Sequence, residues 1–251
     1  MEHQDINRRR SRAGVLAAWI VLLGALALLV GFLTPAIQAN GPAHFQIIDR
    51  DSVAYGRTYS EWSAAWEQWA DSIPTAIHPL FDNGPISTGQ TGPVWFLGGK
   101  FCAISGPPCN YTGVVRYGDI PANTALYVAV FNSEVSTLEV SSFTQTNDLR
   151  AYNDSIIDPA AVSLLVDGQA IHDLKDKFRV QSPIFGFTLP TDNFFTAVGE
   201  GPFTAGTYFP AADDGVYVLL APLSPGLHTI QIQGSIQNFA LEVTYHLHVQ
   251  H

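Results

Sequence analysis

Residues 241–250 read LEVTYHLHVQ. Leu241, Val243, Tyr245, Leu247 and Val249 alternate with Glu242, Thr244, His246, His248 and Gln250. Successive side chains of a pleated strand point to opposite sides, so a period of two predicts a strand with one buried face and one wet face. Upstream, Val216–Ala221 (VYVLLA) and Leu227–Gln233 flank PLSPG, where Pro225-Gly226 suits the centre of a type II turn. Val94–Leu97, Ala125–Phe131 and Ala161–Val166 are continuous apolar runs, as strands covered on both faces must be. The last of these stops at the turn dipeptide Asp167-Gly168. Short strands punctuated by Gly and Pro predict an all-β chain, a single β-sandwich or jelly-roll-like domain.

One helix interrupts the pattern. In TYSEWSAAWEQWADSIP (Thr58–Pro74), Tyr59, Trp62, Trp66, Trp69 and Ile73 fall three and four apart, forming one apolar stripe. Thr58 and Glu61 make a capping box, and Pro74 ends the segment. The stripe predicts a helix docked on the sheet, each ring burying a large area; a sugar-stacking platform is the alternative. Glu61, Glu67, Gln68 and Asp71 are expected to point away from the core. The polar stretches Thr144–Pro159 and Thr191–Gly215 are expected to be surface loops, the second long enough to be functional.

Arg8, Arg9, Arg10 and Arg12 precede Val15–Leu33, 19 residues without a charge, and Thr34–Ala39 follows with small residues. This is an export signal, read either as a cleaved signal peptide or as an N-terminal membrane anchor. It sets residues 1–39 apart from a single extracytoplasmic domain, 40–251, placed periplasmically or outside the cell by the positive-inside rule. The whole chain carries a net charge of −10. Residues 1–39 hold four Arg, Glu2 and Asp5, which leaves eight Lys or Arg against twenty Asp or Glu in the body. Such a body repels nucleic acid, whose binding needs clustered cations. A membrane is met only through the N-terminal segment, if it is kept.

Cys102 and Cys109 are the whole cysteine inventory. Export makes a disulfide the expectation, because zinc and redox sites want C-x₂-C spacing. The chain lacks G-x-S-x-G, H-E-x-x-H, P-loop and G-x-G-x-x-G motifs, and no cofactor is expected. His246 and His248 share a strand face with Glu242, a metal-friendly set. Glu242 lies about 13 Å along an extended strand from His246, too far for one ion to bridge, so no metal is expected. Two further constellations could carry chemistry: His78 and Asp82 after the Trp helix, and Glu134 where a buried strand runs into polar residues. With Gln90, Arg116 and Trp95 they could line a cleft, His78, Asp82 and Glu134 as acids or bases and the others as ligand contacts. Loop capping and turn hydrogen bonds are the alternative. Asn110-Tyr111-Thr112 and Asn153-Asp154-Ser155 match the glycosylation sequon.

The ordered set YGRTYSEWSAAWEQWADSIP, HPL, GQTGPVWFLGGKF, IPANTALYVAVFNSE, VDG and LAPLSPGLHTI, from Tyr55 to Val249, resembles a family of exported bacterial proteins with no assigned activity. The resemblance implies bacterial export and one domain, and no catalytic role. Two functions stay open: an exported β-sandwich that binds a small molecule, a glycan or an envelope component without catalysis, and an extracytoplasmic hydrolase or lyase built on the His/carboxylate cleft. They differ in whether His78, Asp82 and Glu134 meet.

Overall fold

The computed structural model describes residues 45–103, 106 and 108–251. The expected export segment, whether a cleaved signal peptide or a retained anchor, lies outside the described residues. Among those described, no helix is long and apolar enough to cross a membrane.

The elements follow in the order α1 (Tyr59–Ser72), β1 (Val94–Leu97), β2 (Cys109–Ile120), β3 (Ala125–Ser136), α2 (Thr146–Ile157), β4 (Ala161–Val166) and β5 (Gln169–Ala170). Then come α3 (Leu174–Phe178), β6 (Arg179–Gln181), β7 (Phe185–Leu189), α4 (Phe194–Ala197), β8 (Gly206–Leu220), β9 (Gly226–Ile236) and β10 (Phe239–Val249). The chain is mostly β, with two mixed sheets packed as a sandwich. In the first sheet β1, β3, β8 and β6 lie side by side, with β7 also paired to β8; in the second the order is β2-β10-β9-β4-β5. Two pairings, β1 with β3 and β2 with β10, are parallel. Parallel neighbours need long crossovers, which separates this topology from a run of hairpins.

The capping box at Thr58 and Glu61 is formed, and α1 buries its Trp stripe. Each indole N–H also finds a carbonyl: Trp62 donates to Ala54, Trp66 to Leu97 and Trp69 to Thr88. The stripe is therefore a docking surface, since a sugar platform would leave its rings exposed. Gly98 explains the close approach at the end of β1, because a Cβ there would meet the Trp66 ring at 2.5 Å. Gly99 does the same for Leu241 of β10, with a contact of 2.2 Å. The glycines after Val94–Leu97 thus let both α1 and the second sheet close on this strand.

Three expectations need correction. Thr144–Pro159 is not a loop: it holds α2, which buries Leu149, Asn153, Ile156 and Ile157 against the first sheet. Its four buried positions are spread among polar ones, so the apolar pattern is too sparse to announce a helix. Thr191–Gly215 is half strand, since β8 begins at Gly206 and runs through the polar AADDG. Glu67 and Asp71 do not point to solvent; they are 2% and 0% exposed.

Candidate functional site

The bulge between Ala129 and Phe131 in β3 decides which side chains face α1. Tyr127 precedes it and donates to the Tyr59 carbonyl of α1. After the bulge the alternation is reset, so Asn132 and Glu134 share that face, and the Asn132 amide donates to Glu67 Oε1 at 2.6 Å. Glu134 lies directly opposite Asp213 in the β3–β8 ladder. Glu67 and Asp71 stand one turn apart on α1 above them. Glu139, just beyond β3, accepts from the Ser136 N–H at 3.0 Å and from the Ser136 hydroxyl.

Five carboxyl groups therefore meet between helix and sheet, and no Lys or Arg among the described residues forms an ion pair with any of them. Burial raises Glu67 well above its usual range, with the charges of Asp213 and Asp71 adding to it. Burial does the same for Asp71, helped by Glu139 and Asp213, and for Glu134, helped by Glu139 and Asp71. Burial also lifts Glu139 and Asp213 to about 7 each. The carboxyls of Glu67 and Asp213 act on one another, as do those of Glu134 and Glu139, and each contact raises the first partner and lowers the second. Two carboxyls buried together favour keeping a proton between them over carrying two negative charges. Tyr217 donates to Asp213 Oδ1 at 2.8 Å. Asp71 is the orphan: neither carboxyl oxygen meets a donor.

Beside this layer lies a cavity of about 560 Å³. It has a topological cause. β1 pairs only with Ala125–Val128, whereas β3 continues to Ser136. From Ala129 onward no strand among the described residues pairs along that edge of β3, and the chain leaving β1 continues along the cavity wall as residues 99–102. The space left is walled by Glu67 and Trp66 of α1, by residues 129–135 of β3, by Glu139 and Glu200, and by Tyr152 and Ile156 of α2. Phe194 and Phe195 of α4, Phe203, and Phe239 and Leu241 of β10 complete it. The Cys102–Cys109 disulfide ties the departing segment to the start of β2, as an oxidising compartment permits.

Of the six candidate cleft residues His78, Asp82, Gln90, Trp95, Arg116 and Glu134, Glu134 alone lines this cavity. Asp82 and Arg116 are brought together at 2.7 Å, with Lys100 on the other Asp82 oxygen at 2.5 Å. Burial works to raise Asp82, but Lys100 and Arg116 outweigh it and hold the carboxyl below its usual value. Arg116 also donates to the carbonyls of Gly98, Gly99 and Leu80 and to the Tyr245 hydroxyl. Gln90 clamps the Phe96 backbone from both sides, and Trp95 packs half-buried against the core. His78 is buried, with Nε2 on the Ala70 carbonyl and Nδ1 accepting from the Leu80 N–H. Burial pushes it down to about 4, so it stays neutral. Both ring nitrogens are occupied by backbone, which leaves no position for proton transfer to a substrate. These five residues hold the α1–β1 connection and the start of the cavity wall in place.

His246 and His248 are exposed; Tyr117 stacks on His246 and Asp119 bonds His248. No group of three or more His, Cys, Asp or Glu among the described residues is placed to hold a metal ion. Asn153 of the second sequon is fully buried, bonded to Ser133 and to the Ala212 carbonyl, and offers no acceptor site in the folded chain. Comparison of the chain with family models, with curated proteins and with solved structures finds no match.

Proposed function

We propose that the chain is an exported bacterial binding protein whose small ligand occupies the cavity beside β3. The cavity carries the reading: its volume falls within the roughly 300–1,000 Å³ of small-molecule sites, and apolar rings with a few convergent polar groups line it. Export is supported by the charged, apolar leader, by the disulfide and by the family resemblance. The test is to screen glycans, esters, lactones and amines for thermal stabilisation and turnover together. Val140, on the cavity wall, is then replaced by Trp to fill the space. Hits that survive Val140→Trp with unchanged affinity would place the ligand elsewhere.

One observation favours a second reading, an extracytoplasmic hydrolase or lyase. Glu134 and Glu139 both line the cavity, and burial and mutual interaction raise Glu134 well above its usual range and Glu139 to about 7; paired carboxyls with separated proton affinities are a recurrent means of acid–base catalysis. That reading requires turnover in the same screen, lost in Glu134→Gln while binding is kept.

A further inference from the structure

We infer that the cavity takes an organic cation, a protonated amine or quaternary ammonium group carried on an apolar body. This rests on the reading of the cavity as a ligand site and names the class of ligand. Three carboxyl side chains, Glu67, Glu134 and Glu139, reach the wall, with Glu200 farther round. Behind them Asp71 is wholly buried with neither oxygen meeting a donor, and Asp213 Oδ2 and Glu134 Oε1 meet none either. Lys100, among the described residues the one Lys or Arg on the wall, is committed to Asp82. The group therefore has acceptor capacity and lacks a positive partner. A ligand that brings the missing charge supplies what the protein leaves out, because a buried charge is tolerated when paired.

The remaining walls fit the same ligand. Trp66, Phe131, Tyr152, Phe195 and Phe239 present ring surface, which attracts cations through its quadrupole and packs against an apolar body. An anion would meet carboxyl groups without a nearby free cation. A bare metal ion would need a ligand set that the described residues do not form.

Binding must move protons. The groups facing the site are Glu67 and Asp71 from α1, Glu134 from β3, Glu139 and Glu200 from loops, Asp213 and Tyr217 from β8, and Tyr152 from α2. Lys100 lies on the wall and is paired with Asp82, and Arg150 donates to the Asp213 carbonyl. A cation seated among the shared-proton pairs favours their ionised form. A proton then leaves to solvent as the ammonium takes its place, and affinity rises with pH.

The protein as purified is titrated calorimetrically with benzyltrimethylammonium and phenethylamine, with neutral 2-phenylethanol and with phenylacetate. The expected result at pH 8 is at least about tenfold tighter binding of both cations than of 2-phenylethanol, weakening by about tenfold at pH 6 as a single proton is retaken. Heats measured in buffers of different ionisation enthalpy should show proton release. Glu134→Gln/Glu139→Gln, or Glu139→Gln alone if the double variant melts early, should lose the cation preference and keep the affinity for 2-phenylethanol. Cations that bind no better than 2-phenylethanol, or a preference that survives these variants, would overturn the inference and leave the cavity as a site for neutral ligands. Absence of binding by all four probes would also overturn it, and the Val140→Trp screen would then decide separately whether the cavity is a ligand site.

Discussion

Asp213 and Asp214 are consecutive on β8, both fully buried, and face opposite sides of one sheet. On the α2 side Asp214 receives both arms of Arg179, at 2.9 and 2.8 Å, and the same guanidinium reaches Asp154 and Asp158. Those carboxylates, Asp214 first, raise Arg179 above its ordinary value and lock its charge. On the α1 side Asp213 sits among four further carboxyl groups with no cation. The next residue along β8, Asp214, is given an arginine from β6, so the lack of one around the Asp213 carboxyl reflects local composition rather than an inability to bury a base. The first neighbourhood is a structural ion network. The second is a cluster of carboxyls that burial and mutual repulsion push toward the protonated form, and it borders the cavity.

The contrast breaks most readily at Arg179. Arg179→Met should leave Asp214 buried without its cation, bonded only by the Gln181 amide, and lower stability by about 3–5 kcal/mol at neutral pH, read by urea denaturation. A loss below 1 kcal/mol would mean the two neighbourhoods do not differ in kind.

The pH dependence comes next. Glu139 and Asp213 ionise near 7 in the folded chain and near 4 when unfolded, so the folded state holds more protons in between. Stability is then fully present below the unfolded values and is lost as pH rises through about 7. His78 works the other way, since its depressed value lowers stability as pH falls from 6.5 toward 4. It is one group against several. The net expectation is a gain on the order of 3 kcal/mol on going from pH 7.5 to 5.5. A flat or inverted profile by thermal and urea unfolding would contradict the shared-proton account.

The smallest effect is the sharpest. At pH 8 Asp213→Asn should be neutral or stabilise by about 1 kcal/mol, because it removes a desolvated acid from a like-charged group. Asp214→Asn should destabilise by about 1–2 kcal/mol, because it weakens a charge-assisted pair. Equal effects from these neighbouring substitutions would erase the distinction.

The fold was far more legible than the site. Apolar runs and strict alternation located β1, β3, β4, β8, β9 and β10, because burial on one face writes itself as a period of two and burial on both as an unbroken apolar run. The Trp stripe located α1 and its docking for the same reason. The carboxyl layer was misread because a polar residue beside an apolar stripe is ordinarily solvated. Two signals were nevertheless present. Glu67 and Asp71 form a like-charge pair one turn apart, which weakens an exposed helix. Asp71 also stands near the C-terminal end of α1, the wrong end of the dipole for an acid, and no basic residue in the last turn offsets it. The cavity had no sequence signal at all. It arises because β1 is four residues long and β3 is twelve, a mismatch visible only once the two are paired.

The position of β10 constrains when the molecule can become itself. It lies inside the second sheet, bonded to β9 on one side and, in parallel, to β2 on the other, so Phe239 sits against Cys109 and Val249 against Ile120. Among the described residues β2 has no other strand neighbour. Until residues 239–249 are available, β2 has nothing to pair with, and Phe239 and Leu241 cannot close the cavity. Contacts that span so much sequence form slowly, because the intervening loop must close before any hydrogen bond rewards it. The second sheet therefore cannot close around β2 until residues 239–249 join it, and a chain short of them leaves both β2 and the cavity open.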